Sequence, residues 1–587
     1  MAEFASPGVI STERDFSATV QMLGTATGGT VINSKWGFAD YEMIVANEDE
    51  LVNLAGKPTD QNFRDWFAAA NFLKYTSALR WVRVVDEETA LNAAAGNGSV
   101  AGILIKNKAH LDVVRSVSSI TQAFAAKCPG ALGNSIGISI ADAATFADWE
   151  YESLFDTAPN SSGPLSGNTA EALDEVHVVV TDVLGLFSGV PGSVLETYPY
   201  LSKARDAKGV NGESSYYINY LNNTSNYVWG LTPIASAELV TEGDDPQNPG
   251  TPITLNVSPV GASLTDGKPF AVFKDAITYQ FAGGADGDTP GKDEYINAFD
   301  VLTTPDDTDI ALLFAGGCGN DTNQPDVSNH VLASTAKRGD MLGFVSPKFS
   351  DVVGALKTAV TKNIIATKNA LANKDSYGVM TTGYKLQYDR YNDVNRWVPG
   401  NGDDAGLCAR AENEFDVWVS PAGFNRGHYV DCLQLAFNPD KNARDELYRE
   451  NINPVATFPK DGTILYGDKT LQAKNSAFSW IGIRRLFNYL RKSIQASAKY
   501  SLFEFNTQFT RQAFKDQVEP ILREIKGRNG IFDFYVRCDE TNNTPTVIQK
   551  GEFLADIIIK PQYSIQGIRL SFTAVRREVN FDEVIVA

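Results

Sequence analysis

The sequence predicts a multidomain α/β (α+β) protein with a core assembled from two separated stretches of chain. Three observations carry this. The 587 residues exceed what a single hydrophobic core organises. Strand-like and helix-like patterns alternate in residues 22–90 and again in 323–570, while 91–322 between them turn to short strands among Gly, Ser, Thr, Asn and Asp. The first stretch therefore reaches its missing strands only across a β-rich insertion domain. Finally, the ends 1–21 and 571–587 alternate small or apolar residues with polar ones and have no helical period, which predicts extended, strand-forming N- and C-terminal arms.

Taken in order, the first arm is interrupted at Pro7-Gly8, after which Val9 and Ile10 can pair as a short strand. In 22–90, GTVINS reads as a strand and NEDELVNLAG as a helix closed by Gly56. The next helix turns Phe63, Trp66, Phe67, Phe72 and Leu73 to a core, and LRWVRVVD follows as a strand. The insertion carries strands at 177–183, 270–275 and 309–314, separated by turn-rich loops at 242–252 and 283–294. Beyond 322 the alternation resumes with VSNHVLASTAKR, MLGFVSP and an amphipathic run over 352–371.

After Thr470 a helix from about Ser479 to Lys499 sets Ile483, Leu486, Phe487, Leu490 and Ile494 on one face. A second, 507–526, is expected to break near Pro520. Strands IFDFYVRC and FLADIIIK lead into the tail, where Ile568, Leu570 and Phe572 alternate with Arg569 and Ser571 before the chain ends in Val584, Ile585 and Val586. An exposed strand seeks an edge to pair with. If that edge belongs to a neighbour, the result is strand addition between subunits, and a heterologous contact that does not close propagates a helical filament.

The most particular segment is 384–429. It sets Tyr384, Tyr388, Tyr391, Trp397, Phe415, Trp418 and Phe424 among Asp, Asn, Gly and Pro. That mixture reads as loops pinned to a core by aromatic anchors, although a catalytic loop can have the same composition.

Charge and composition narrow the function. With 51 basic and 71 acidic residues the net charge is −20, which repels phosphate backbones and anionic lipid, so no nucleic acid partner is expected. The start has no basic segment leading into an apolar run, which predicts no secretory signal, and no stretch reaches the ~18 apolar residues of a membrane span. Five cysteines (Cys128, Cys318, Cys408, Cys432, Cys538) lack CxxC spacing and read as buried thiols. The four histidines, His110, His177, His330 and His428, stand far apart.

Local motifs do not add chemistry. GNSIG at 133–137 has a turn before it and a strand-like run after it, the reverse of a nucleophile elbow. Asp286 and Asp288 hint at a calcium loop, but Pro290 takes a ligand position and Asn297 stands where the bidentate Glu belongs. GGCG at 316–319 lacks the further glycine of a phosphate loop. No catalytic, cofactor or metal residue is assigned, and the expectation is a protein that is not an enzyme.

One cluster does stand out. Arg484, Arg485, Arg491 and Lys492 fall in one helix with no acid between Trp480 and Lys499, and the following helix adds Arg511 and Lys515. Two readings stay open, a solvated helix face or a surface for a partner.

A resemblance bears on both. Residues 384–429, the run NPDKNARDELYRENINPVATFPKDGTILYGDKT after them, WIGIRRLFNYL, SLFEFN and CDETNNTPTVI are similar, in that order, to the C-terminal half of the tail sheath proteins of contractile, T4-like bacteriophages. SPGVISTERD near the start resembles that family's N-terminal arm; the middle matches far less. The resemblance implies a mechanical role: subunits stack as rings around a tail tube in an extended, high-energy lattice, and contraction triggered at the baseplate drives the tube through the host envelope. It implies an inner α/β core from 22–90 and 323–570, an outward insertion, arms that dock on neighbouring subunits, and a basic surface near the tube. Implied partners are sheath subunits, the tube, baseplate and tail terminator proteins, in a virion assembled in host cytoplasm and with no direct membrane insertion. The stretch between Gly96 and Cys128 is too short for the additional protruding domain of the T4-type protein. A related injection device, such as an R-type pyocin or a secretion apparatus, would share this architecture. From a different class, the β-rich middle leaves a hydrolase or glycan-binding protein open.

Overall fold

A computed structural model describes residues 24–116, 119–162, 171–209, 211–245, 248–304 and 309–566. The chain divides into two compact units: residues 24–414 with 421–479, and residues 415–420 with 480–566.

The first unit is built on a six-stranded sheet. Its strands are β1 (Gly28–Ile32), β2 (Glu42–Val45), β3 (Leu79–Arg83), β4 (Leu312–Phe314), β5 (Leu342–Val345) and β6 (Gly378–Met380), in the order β6-β5-β4-β1-β3-β2. All pairs are parallel except β2 with β3. β1, GGTVI, is wholly buried, as a central parallel strand covered on both faces must be. Gly28 is needed there: a Cβ would lie 2.4 Å from the tip of Phe72, a ring of helix α1 (Phe63–Leu73). Helices α2 (Lys292–Thr303) and α3 (Gln324–Arg338) complete the cover, packing Tyr295, Phe299, Leu302, Val327 and Val331 into one core with Val31, Val82 and Leu313.

Here one expectation is corrected. Local pattern places the strand 309–314 in an insertion extending to residue 322. Leu312–Phe314 instead pairs in parallel with both β1 and β5, and α2 ahead of it packs on the same core, so the α/β layer resumes by Lys292. A parallel partner is contributed from across the whole insertion, and no local pattern marks it.

The insertion is rich in β structure. Strands Ile277–Gln280, Ile136–Asp142, Glu175–Asp182 and Ser193–Ser202 form one antiparallel sheet, and Ala94–Ala95, Phe124–Ala126 and Val228–Gly230 another. Ile136, Ile138 and Ile140 alternate into a core shared with Val176, Val178 and Val180. Within it Lys203 and Asp142, each 1% exposed, form an ion pair at 2.9 Å. Two local expectations differ. Glu242–Asp245 and Asn248–Thr254 pair as an antiparallel ribbon rather than an open loop. Residues 270–275 make only single bridges through Phe270 and Phe273.

The segment 384–429 is likewise more regular than its composition suggests. Its first part is a hairpin, β7 (Tyr384–Asp389) against β8 (Val394–Pro399), turned at Asp393 with φ 54°. A helix, α4 (Asn401–Glu414), follows. Gly402 and Gly406 do not mark turns; they let α4 press on α1 and the residues after it. A Cβ at Gly402 would fall 2.1 Å from the Ala68 carbonyl, and one at Gly406 2.3 Å from the Tyr75 ring.

The first turn of α4 buries two carboxylates. Asp403 pairs with Lys385 Nζ at 2.8 Å, both side chains being fully buried, and accepts from the Tyr75 hydroxyl at 2.9 Å. Asp404 accepts from Thr381 Oγ1 at 2.5 Å and from the Tyr429 hydroxyl. Burial pushes its pKa up to about 7, against the pull of those two hydrogen bonds.

Candidate assembly surfaces

The motifs weighed for chemistry resolve into structure. Ser135 ends a 3-10 turn, Ala131–Ser135, and donates to the buried Asp182, whose oxygens also accept from the amides of Leu186, Phe187 and Ser188. It fixes a loop. Asp286 is neutralised by Lys35 and accepts from Ala131 N at 2.8 Å. The amide of Gly317 in the GGCG turn donates at 2.7 Å to Asp65, so a carboxylate of the chain itself fills that turn. All five cysteines are free thiols and all but Cys432 are buried. Among the described residues no group of three or more His, Cys, Asp or Glu could hold a metal ion.

What remains is the second unit. Among the described residues its two long helices are α5 (Ile481–Ala498) and α6 (Gln508–Gly527), a short helix spans Pro545–Gln549, and its strands are β9 (Ile531–Arg537) and β10 (Asp556–Pro561). Leu486, Tyr489 and Leu490 of α5 meet Phe514, Val518, Ile521, Leu522 and Ile525 of α6 over Ile531 and Val536, as the 3.6-residue spacing requires. α6 starts at Thr507, whose side chain caps Thr510 N, and runs through Pro520 without a break. This corrects the expected interruption: Pro520 is exposed, while the apolar face on either side of it stays packed.

β9 and β10 pair only with each other among the described residues, as a two-stranded antiparallel sheet. One face rests on the core through Phe534, Ile557 and Ile559; Phe532, Tyr535 and Ile558 are exposed. Two strands alone are marginal in water, and their outer edges offer unpaired backbone groups.

The basic residues are distributed differently from the expected surface. Arg484, Arg485, Lys492 and Arg511 are buried, Lys515 is half-buried and Arg491 is exposed. Arg511 Nη1 donates to Asn506 Oδ1 at 2.8 Å, and Lys515 lies 3.7 Å from Glu519 one turn on. The six therefore do not form one solvent-facing patch in the single chain, because four of them are buried. The arm residues Val9, Ile10, Ile568, Leu570, Phe572, Val584, Ile585 and Val586 lie outside the described residues.

Sequence comparison identifies what this arrangement belongs to. Residues 288–471 match the phage tail sheath protein central domain and 473–574 the phage tail sheath C-terminal domain. The chain is 31% identical to the tail sheath protein of Enterobacteria phage T4 over 658 aligned positions, which cover 99% of each protein. The chain belongs to the phage tail sheath protein family. The sheath protein of Salmonella phage ViI is also 31% identical, over 99% of this chain and 97% of its own length. The crystal structure of a sheath tail protein from Listeria innocua superimposes with a TM-score of 0.52 at 12% identity, covering 93% of this chain and 98% of that one. The sheath fold is thus shared where little sequence is. The central sheath domain begins at residue 288, within a few residues of Lys292, where the α/β layer resumes.

Proposed function

We propose that the chain is the sheath subunit of a phage contractile tail, polymerising helically around the tail tube and contracting to drive it through the host envelope. The observation that carries the assembly step is the open, two-stranded sheet of β9 and β10, in a chain whose two ends are both strand-competent. Strands from neighbouring subunits, carrying Val9-Ile10 and the 568–586 run, complete that sheet, so backbone hydrogen bonds tether copies while their cores rotate. The extended lattice is kinetically trapped, and better packing of the contracted one supplies the work. The role is structural and uses no cofactor or bond hydrolysis. The exposed Arg491 and half-buried Lys515 make a weak, releasable contact with the tube, and baseplate and terminator proteins close the two ends. The insertion faces outward without the T4-type protruding domain. Assembly takes place in host cytoplasm and the product is the virion tail.

Negative-stain electron microscopy of the purified full chain, alone and with its tube protein, tests this: helical tubes are expected. Removing residues 1–18 is expected to leave folded monomers that no longer polymerise. Normal tubes from that truncation would refute the tether.

A further inference from the structure

Residues 500–505, which link α5 to α6, reverse the usual arrangement of a folded chain. Their apolar side chains face water: Tyr500 is 81% exposed, Leu502 64%, Phe503 fully and Phe505 84%. The hydrogen bonds in and just after this segment are made within the same unit. Phe505 O accepts from Thr507 N and Thr510 Oγ1, both at 2.8 Å. Asn506 Nδ2 donates to Glu552 O at 2.8 Å, while Asn506 Oδ1 is the oxygen held by the buried Arg511. Phe503 has φ 69°, a left-handed conformation that a bulky side chain rarely adopts and that the surrounding contacts must impose. An elbow held at its Phe505–Asn506 end that displays large apolar groups offers a contact surface.

Charge identifies the occupant. Residues 415–420 and 480–566 hold 13 Lys and Arg against 10 Asp and Glu, a net of +3, whereas residues 24–414 and 421–479 hold 34 against 55, a net of −21. One unit is therefore basic and the other strongly acidic, a complementarity that favours contact between unlike units of different copies and opposes contact between like ones. Such a heterologous contact is the kind that propagates a helix. We propose that the aromatic elbow 500–505 of one copy docks on the acidic unit, residues 24–414 and 421–479, of the next copy in the polymer. This rests on the sheath reading above and assigns it an interface separate from the strand-completed sheet.

The test places a photo-crosslinking phenylalanine analogue at position 503 of the full-length protein. Isotope-labelled and unlabelled copies are then mixed and assembled with the tube protein. Crosslinks joining position 503 of one isotope to residues 24–414 or 421–479 of the other are expected. Crosslinks to the tube, or to residues 1–23 or 567–587 of any copy, would overturn the proposal. In parallel, the double variant Phe503→Ser, Phe505→Ser should melt as the wild type does, since both rings already face water. Its concentration threshold for polymerisation should rise at least about tenfold, the scale of a lost interface anchor. An unchanged threshold would overturn the elbow contact alone. Wild-type protein that forms no polymer even with its tube would refute the sheath reading, and the inference with it.

Discussion

At the scale of single residues, Asp403 and Asp404 show how neighbours in sequence take different electrostatic roles. The Lys385 ammonium goes to Asp403; Asp404 is held by the neutral hydroxyls of Thr381 and Tyr429. Desolvation therefore raises the Asp404 pKa from 3.8 to about 7. Folded chains keep this proton over a pH range in which unfolded chains have lost it. Its stabilising contribution is complete below pH 3.8 and disappears as pH rises through about 7. Replacing Asp404 by Asn should remove about 3 kcal/mol of the stability lost between pH about 5 and about 8, at 1.36 kcal/mol per pH unit. Calorimetric melting across that range checks it, and equal pH slopes in the two proteins would mean an ionised Asp404. Gly402 offers a second test at this scale. A Cβ there meets the backbone carbonyl of Ala68 rather than a movable side chain. Gly402→Ala should then cost about 3 kcal/mol or more, at the upper end of overpacking, as read by the urea midpoint.

At the scale of elements, α6 carries a proline in its interior that is exposed and makes no kink-dependent contact with the core. Proline in a helix interior is about 3 kcal/mol less favourable than alanine. Pro520→Ala is therefore expected to stabilise the C-terminal unit by up to about that amount, visible as slower amide exchange across 508–527. No change would imply that the lost hydrogen bond is already compensated by water. The β9–β10 sheet behaves in the opposite sense: alone it is under-stabilised, and its amides should exchange fast in the monomer and slowly in tubes.

For the whole molecule, the decisive quantity is the division of charge between a basic C-terminal unit and an acidic remainder. If copies meet head to tail, the rate of polymerisation should fall as ionic strength rises through the physiological range, where the Debye length shortens to about 8 Å. Turbidity against salt concentration measures it, and acceleration by salt would point to assembly limited by like-charge repulsion.

Much of the fold is legible in the sequence because it rests on local pattern. The valine-rich strand at Leu79, the helix after Asn47 closed by Gly56 and the helix ending at Arg338 follow from periodicity and caps. The ordered motifs of the C-terminal half point to the family through their residues alone. Other features depend on what comes together in space. Leu312–Phe314 is too short to announce that its partner is Gly28, nearly three hundred residues earlier. Asp, Asn and Gly in 401–406 read as turn formers, and only the close approach of α1 explains them as a helix. Basic residues in a row suggest a surface, whereas packing buries four of the six. The aromatic elbow is invisible for the converse reason: nothing in SLFEFN marks its rings as exposed, and only the tertiary structure leaves them in water. Sequence by itself determined periodicity, charge and kinship, which are properties of the chain. Tertiary structure decided which groups are removed from water, because burial depends on contacts between residues far apart in that chain.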